Sequence, residues 1–157
     1  MAASDLFSGE EIRFLEELAR EKVDFIIVGL SAAALQGAPV VTQDIDLWIE
    51  HLDDEGFQRA IQTVGGAYVP PIGLNPPMLA GKAVRLFDLV LTLHGLDSFE
   101  EEAANALRVK IGSRRVNVLP LDRIIHSKRT VNRPKDQMVI PVLEDSLKII
   151  RSRKSKK

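Results

Sequence analysis

The amino-acid sequence predicts a fold of the α+β (α/β) class, in which strands and helices alternate within one domain. Short apolar runs such as VDFIIV have the length and composition of buried strands, whereas EEIRFLEEL repeats its apolar residues at helical intervals. With 157 residues, 45% of them hydrophobic, the chain is long enough to form one ordinary core. We therefore expect a single domain over residues 1–150, followed by a basic, disordered tail over residues 151–157.

The first half of the chain contains two predicted strands and two predicted helices. Ser8 and Glu11 have the spacing of a capping box, which predicts a first helix from about Gly9 to Glu21. The run VDFIIV predicts a buried strand that ends at Gly29, and the alanine-rich segment Ser31 to Gly37 predicts a short helix. The segment DIDLWIE predicts the next strand.

The second half is predicted to contain further strands and helices, with one irregular stretch. The expected elements are a surface helix from Asp53 to Val64, an irregular segment with four prolines from Tyr68 to Pro77, a third strand from Ala83 to Leu93, a short helix that begins near Asp97 or Ser98, a hairpin around Gly112 and Ser113, and two final helices, roughly Leu121 to Val131 and Pro134 to Arg151.

Composition excludes several classes of function. The absence of cysteine excludes disulfides, thiolate metal sites and cysteine nucleophiles. The N-terminal sequence MAASDLFSGEE lacks the pattern of a signal peptide, and no apolar run approaches the length needed to span a membrane. We therefore expect a cytoplasmic protein with no membrane partner.

Charge is distributed unevenly along the chain. Residues 1–60 carry 13 acidic and 4 basic side chains, whereas residues 105–157 carry 15 basic and 4 acidic ones. An acidic first half and a basic last third suit a ligand that is both metal-bound and phosphate-bearing. A solvated basic helix with a frayed tail explains the same counts without a ligand.

Three aspartates stand out in the predicted strands. Side chains alternate across a strand, so Asp44 and Asp46 share one face, roughly 7 Å apart, and without a cation they repel each other. Asp88 is a lone acid in the apolar third strand. If the two strands are neighbours, the three acids converge, as in two-metal phosphoryl-transfer sites that hold magnesium. A solvated sheet edge, or an ion pair of Asp88 with Arg85 or Arg108, is the alternative interpretation.

A phosphate-binding turn is predicted just upstream. The arrangement of a strand, then Gly29, Leu30 and Ser31, and then a short helix offers free backbone N–H groups to an anion. Gly29 lets a phosphate approach the backbone, and the Ser31 hydroxyl can cap the helix or donate to a phosphate oxygen.

These motifs together resemble a known family. The sequence resembles the DNA polymerase beta superfamily of nucleotidyltransferases in four features. They are, in order, IIVGLSAAALQG, TQDIDL, a lone strand aspartate and LPLDRIIHSKRTVNRPKD. The sequence is most similar to minimal nucleotidyltransferases and AbiEii-type toxins, over roughly residues 23–143. It departs from the family at Leu30, where a second glycine or a serine usually follows the first glycine. The resemblance implies a nucleotidyltransferase fold, with a small mixed sheet flanked by helices and two C-terminal helices.

The resemblance also implies roles for individual residues. Gly29 and Ser31 would bind the triphosphate of an NTP, while Asp44 and Asp46 would hold magnesium, with two ions expected. Asp88 would be the third carboxylate, acting as general base or metal ligand. The reaction would move a nucleoside monophosphate from the NTP to an acceptor, with pyrophosphate as the leaving group.

The basic C-terminal third adds four candidates. The resemblance implies that Lys128 faces the site and contacts phosphate, that Arg133 and Lys135 also bind the nucleotide phosphates, and that Asp136 is a further functional acid. The alternative is that Arg133 and Lys135 face solvent and Asp136 belongs to a helix start, where an acid is favourable. We interpret Trp48 as packing beneath a neighbouring helix rather than stacking on a nucleobase.

The predicted function is therefore magnesium-dependent nucleotidyl transfer to an unidentified acceptor. RNA or a tRNA end, a protein hydroxyl and a small molecule all fit as acceptors, and the resemblance to AbiEii-type toxins implies a toxin–antitoxin relation with a protein partner. The alternative is a catalytically degenerate protein of the same fold that acts as a nucleotide- or protein-binding module.

Overall fold

A computed structural model of the chain describes residues 5–155. The helices are α1 Gly9–Arg20, α2 Gly29–Leu35, α3 Glu55–Thr63, α4 Phe99–Ala104, α5 Leu121–Val131 and α6 Pro134–Ser155. The strands are β1 Phe25–Val28, β2 Ile45–Ile49, β3 Ala67–Val69, β4 Met78–Ala80, β5 Phe87–Val90, β6 Leu107–Ile111 and β7 Arg114–Val118.

The main sheet has five strands in the order β5-β2-β1-β7-β6. Strand β1 lies antiparallel to β2 and parallel to β7, while β2 and β5 run parallel and the β6–β7 hairpin is antiparallel. Strand β1 is therefore central, and all four of its residues are buried. This mixed sheet, with flanking helices and two final helices, is the α+β architecture that the sequence predicted.

Helices cover both faces of the sheet. Helix α1 begins with the predicted capping box, because the Ser8 hydroxyl accepts from the Glu11 N–H and the Glu11 carboxylate accepts from the Ser8 N–H. Its Phe14 meets Phe87 of β5 edge to face, with ring centroids 4.9 Å apart. On the opposite face Trp48 of β2 packs edge to face against Phe99 of α4, at 5.2 Å. The packing interpretation of Trp48 is confirmed.

Two polar contacts fix helix α5 against the rest of the fold. The side-chain amide of Gln36, at the end of α2, donates to the Leu119 carbonyl at 2.9 Å and accepts from the Leu121 N–H at 2.9 Å. The buried carboxylate of Glu102 in α4 accepts two hydrogen bonds from Arg123 of α5, at 2.7 and 3.1 Å. A charge pair with a buried member is costly to break, so α5 is held firmly over the sheet.

Several element boundaries differ from the predictions. The third strand extends only over Phe87–Val90 rather than from Ala83 to Leu93, because the chain before it turns, with Val84 and Arg85 both donating to the Gly81 carbonyl. The proline-rich segment is flanked by a small antiparallel sheet of β3 and β4, which was not predicted because three-residue strands carry no periodicity.

The final helix is longer than predicted. Residues 151–155 continue α6 instead of starting a loose tail, since they contain no glycine or proline, and Arg153 and Lys154 are favourable at the carboxyl end of a helix. Residues 156–157, the end of the predicted tail, lie outside the described residues, as do residues 1–4 of the N-terminal stretch. Within residues 5–155 no helix is both long enough and apolar enough to cross a membrane.

Candidate active site

Gly29 brings the backbone directly against an acidic side chain. It adopts a left-handed conformation, with φ +66°, where β1 passes into α2. A Cβ atom added at Gly29 would overlap the carboxylate of Asp46 and lie 3.2 Å from its Cγ. Only glycine therefore combines this backbone angle with this close approach.

The Ser31 hydroxyl bonds to the backbone of both neighbouring strands, and its contact with phosphate stays a prediction. The side chain is 1% exposed, its hydroxyl donates to the Val28 carbonyl at 2.9 Å, and its oxygen accepts from the Asp46 N–H at 3.3 Å. Because both bonds go to the backbone, Ser31 ties the first turn of α2 to β1 and β2. We infer that this hydroxyl fixes the position of Asp46.

The three predicted carboxylates converge on neighbouring strands. Asp46 of β2 and Asp88 of β5 are direct partners in the parallel register. Asp44 lies just before β2, close enough to Asp88 to raise the pKa of that carboxyl group. Neither Arg85 nor Arg108 forms an ion pair with Asp88, since the Arg108 guanidinium bonds to Asn117 and to a backbone carbonyl. The alternative of a structural ion pair for Asp88 is thus not what the structure shows.

Burial and mutual repulsion raise the pKa values of two of these acids. Burial is the largest cause for Asp46, followed by the charges of Asp88 and Asp44, and together they raise its pKa from 3.8 to about 6 even though Lys128 and Lys135 act in the opposite direction. The pKa of Asp88 is also raised, first by burial and then by the charge and hydrogen bond of Asp44. Ionised carboxylates held this close favour a bound cation.

The donor set suits magnesium, although the side chains are not arranged as a finished cage. Asp44, Asp46 and Asp88 offer only carboxylate oxygens, the ligands that hard divalent cations prefer. Among residues 5–155 no group of three or more His, Asp or Glu side chains is placed as a ready cation site. Magnesium is commonly held by one or two carboxylates, with substrate phosphates and water completing its shell.

A cleft of about 460 Å³ brings Asp46 together with the basic third of the chain. Gly29 and Asp46 line it, and so do Lys128, Arg133 and Lys135, which we call the basic wall. The remaining lining is mainly apolar, with Val28, Val90, Leu93, Leu119, Ile124 and Val131 beside Thr92, His94 and Ser127. The cleft therefore combines one acid, three cations and an otherwise mainly apolar lining.

Asp136 organises the basic wall. It is 1% exposed, and its carboxylate accepts from the Arg133 side chain at 2.8 and 3.3 Å and from the Arg133 backbone N–H at 3.0 Å. The ammonium of Lys128 lies 3.6 Å from the same carboxylate. The Arg133 hydrogen bonds, opposed by burial and assisted by the Lys128 charge, lower the pKa of Asp136 from 3.8 to about 2. Asp136 is thus an anchor for two cations.

The turn between α5 and α6 gives the anchor its geometry. Asn132 ends α5 in the left-handed region, with φ 55° and ψ 42°, and its N–H donates to the Lys128 carbonyl at 2.8 Å. Asparagine tolerates this conformation better than most residues. The reversal places Arg133 and Lys135, at the start of α6, on the same cleft as Lys128 of α5.

Two solved structures are similar to this fold. The crystal structure of ANT(2″)-Ia in complex with adenylyl-2″-tobramycin matches with a TM-score of 0.57 and 15% identity, over 86% of this chain and 86% of that chain. The solution structure of the antibiotic-resistance factor ANT(2″)-Ia matches with a TM-score of 0.57 and 13% identity, over 99% and 96%. The chain has the nucleotidyltransferase fold.

The fold prediction is thereby confirmed, whereas the narrower resemblance stays a prediction. No family model matches the sequence, and no curated protein matches it. The likeness to minimal nucleotidyltransferases and AbiEii-type toxins therefore rests on the quoted motifs alone.

The nucleotidyltransferase fold brings together most of the predicted site residues, and the sequence analysis missed others. Gly29, Asp46, Lys128, Arg133 and Lys135 line one cleft, and Asp136 lies buried behind its basic wall. The missed lining residues include Thr92, Leu93 and His94, which follow β5. The sequence feature that could have identified them is their position just beyond the end of a strand that carries a predicted site carboxylate.

Proposed function

We propose that this protein is a magnesium-dependent nucleotidyltransferase that moves a nucleoside monophosphate from an NTP to an acceptor hydroxyl. The observation that carries the proposal is the pairing of Asp46 with Asp88 on adjacent strands, with Asp46 lining a cleft that three cations also line. Acids for metal beside cations for phosphate suit one ligand, a metal-bound triphosphate.

The basic wall supports binding of the triphosphate. Lys128, Arg133 and Lys135 present positive charge to the cleft that Gly29 also lines. Lys128 acts as a compact point charge, whereas the guanidinium of Arg133 is bound to Asp136 and adds its positive charge from that fixed position. Fixed cations of this kind also stabilise the negative charge that develops during phosphoryl transfer.

Asp44 and Asp46 would hold the magnesium ion, and Asp88 either joins them as a ligand or accepts the proton of the attacking hydroxyl. When bound, magnesium would polarise the α-phosphate and offset the charge of the leaving group. The raised pKa of Asp88 favours a proton-accepting role, because a base is most effective when its pKa approaches the working pH.

The reaction forms one bond and breaks another at the same phosphorus. The acceptor oxygen bonds to the α-phosphorus as its proton passes to a carboxylate, and the bond from that phosphorus to the bridging oxygen breaks. Pyrophosphate leaves with the electron pair of the broken bond, which the basic wall stabilises. The product is an ester of the acceptor with a nucleoside monophosphate.

The donor, the acceptor and the biological setting are further parts of the proposal. The solved complex of ANT(2″)-Ia contains an adenylyl product, so ATP is the first donor to test here. The acceptor is an RNA end, a protein hydroxyl or a small molecule. A toxin–antitoxin setting with a protein partner is proposed from the sequence resemblance.

The test is transfer of label from each α-labelled NTP, with magnesium, to bulk tRNA, cell protein or small-molecule fractions. The Asp44→Asn variant should transfer nothing and remain folded, since Asp44 is exposed. Asp145→Asn is the matched control, because this exposed aspartate of α6 lies outside the cleft. Transfer by Asp44→Asn would refute the mechanism, and NTP binding without any product would favour the degenerate binding module.

A further inference from the structure

A second cavity opens beside the carboxylate pair, on the side of Asp88. It measures about 250 Å³ and is lined by residues 76–79 of the β4 segment together with Arg85, Phe87, Asp88 and Leu89. We name this cavity the Asp88 groove. Asp46 lines the cleft and Asp88 lines the groove, and the two acids are register partners. Each of the two cavities is therefore lined by one acid of the Asp46–Asp88 pair.

The wall of the Asp88 groove is apolar and built from constrained backbone. Pro76, Pro77, Met78 and Leu79 form one side, and proline restricts the backbone before a ligand arrives. Met78 is 55% exposed, and Leu74 in the preceding turn is fully exposed. Concave apolar walls with a few polar groups are typical of sites that bind small molecules or single side chains.

Arg85 is the cation of this groove. Its side chain is exposed, and among residues 5–155 it has neither a hydrogen-bond partner nor an ion-pair partner. Asp88 is the sole acidic side chain among the lining residues. A free guanidinium is a strong ligand for a carboxylate or a phosphate, and it repels cations. The Arg85 charge thus favours an anionic group in the groove.

We propose that the Asp88 groove is the acceptor subsite and that the acceptor is a hydroxyl compound with an apolar body and an anionic group. The hydroxyl lies at Asp88, the apolar body contacts the proline-rich wall, and the anionic group pairs with Arg85. This inference rests on the proposed function, because it supplies the oxygen that attacks the α-phosphorus. It excludes polycationic acceptors such as tobramycin, which forms the adenylyl product in the ANT(2″)-Ia complex.

The binding test uses three phenols that share a 2-(4-hydroxyphenyl)ethyl body and carry distal groups of different charge. The probes are 3-(4-hydroxyphenyl)propionate, its neutral amide, and the cation tyramine, each observed by saturation-transfer NMR with ATP and magnesium present. We expect the carboxylate to bind about tenfold more tightly than tyramine, the size of effect that one charge-assisted hydrogen bond gives. The amide should fall between them.

Three variants locate the effect. In Arg85→Gln the dissociation constants of the three probes should lie within about twofold of one another. Arg115→Gln, at an exposed arginine of the β7 strand, should keep the preference for the carboxylate probe. Met78→Glu should weaken binding of all three probes, while Ile149→Glu, at a similarly exposed residue of α6, should not.

The outcomes separate this inference from the proposed function. If ATP binds and the probes bind equally well, or not at all, or with a preference that survives Arg85→Gln, the subsite assignment is wrong. The same conclusion follows if tobramycin binds better than the carboxylate probe. If none of the four NTPs binds in the presence of magnesium, the proposed function itself fails. Transfer of labelled AMP to the carboxylate probe, reduced in Arg85→Gln, shows that the bound hydroxyl reacts. Equal transfer of label to the same propionate or propionamide without its phenolic hydroxyl would show that the hydroxyl is not the group that reacts.

Discussion

Replacing Asp46 with asparagine should stabilise the protein while abolishing nucleotidyl transfer. Burial and the charges of Asp88 and Asp44 raise the pKa of Asp46 from 3.8 to about 6, so its ionised form is disfavoured in the folded state. Asparagine has nearly the same shape and carries no charge. The substitution therefore removes an electrostatic cost from the folded protein and removes a proposed ligand of magnesium.

The size of the gain follows from the change in pKa. One pKa unit corresponds to 1.36 kcal/mol, so a rise from 3.8 to about 6 sets an upper limit of about 3 kcal/mol. Asp46 is only partly buried and solvent screens part of the interaction, so we expect about 1–2 kcal/mol at pH 7. For a protein of this length, that gain corresponds to an increase in Tm of about 2–8 °C.

The gain should depend on pH in a defined direction. Because the folded pKa lies above the unfolded one, the folded state binds more protons between pH 3.8 and about 6, and stability falls as the pH rises through this window. The advantage of Asp46→Asn should therefore be absent below pH 3.8 and complete above about pH 6. Urea unfolding at several pH values, in EDTA, measures this difference, and Asp145→Asn should show none.

Magnesium supplies a further test of the same reasoning. A cation that binds the folded state stabilises it, so magnesium should raise the Tm of the unmodified protein more than that of Asp46→Asn. An Asp46→Asn variant that is less stable than the unmodified protein at pH 7 in EDTA would refute the electrostatic argument. So would a stability difference that does not change between pH 4 and pH 7.

Two further substitutions test the turn and the anchor of the site. Gly29→Ala should destabilise the protein by about 1–2 kcal/mol in urea unfolding and weaken ATP binding, because alanine is strained at φ +66° and its Cβ meets the Asp46 carboxylate. Gly37→Ala, at φ +94° with open space around the added atom, should cost stability alone. Asp136→Asn should destabilise the protein by about 1–3 kcal/mol at pH 7, since it weakens the buried hydrogen bonds to Arg133. Its lowered pKa gives stability that is present above pH 3.8 and lost as the pH falls through about 2, so calorimetry near pH 2 should show the smallest difference.

Opposite results would be equally clear. Equal loss of ATP binding in Gly29→Ala and Gly37→Ala would show that the contact with Asp46 is unimportant. An Asp136→Asn variant of unchanged stability at pH 7 would show that the anchor contributes nothing to the fold.

The convergence of the three acids was predictable because strand geometry is simple. Alternation fixes the face on which Asp44 and Asp46 lie, and pairing of two consecutive predicted strands places Asp88 opposite them. The same reasoning predicted that Gly29 lies close to Asp46, because β1 and β2 are adjacent strands. These parts of the site follow from local periodicity and one assumption about adjacency.

Ser31, the proline-rich hairpin and the end of α6 were not predictable in the same way. The bonds of the Ser31 hydroxyl include one to a backbone N–H fifteen residues away, and no local pattern reveals such a partner. The strands β3 and β4 form because tertiary contacts align three residues on each side of a loop. The final turns of α6 depend on helix propensity, which is weak information for a charged segment.

The order of the chain has a consequence for how the site is completed. The carboxylates belong to the part synthesised first, and Lys128 and Lys135, whose charges lower the pKa of Asp46, are synthesised last. In the folded structure Lys128 and Lys135 lower the pKa of Asp46, against the repulsion by Asp88 and Asp44. A sheet formed before α5 and the start of α6 dock would lack these two positive charges. We therefore expect docking of the C-terminal segment both to complete the basic wall and to reduce the repulsion within the sheet.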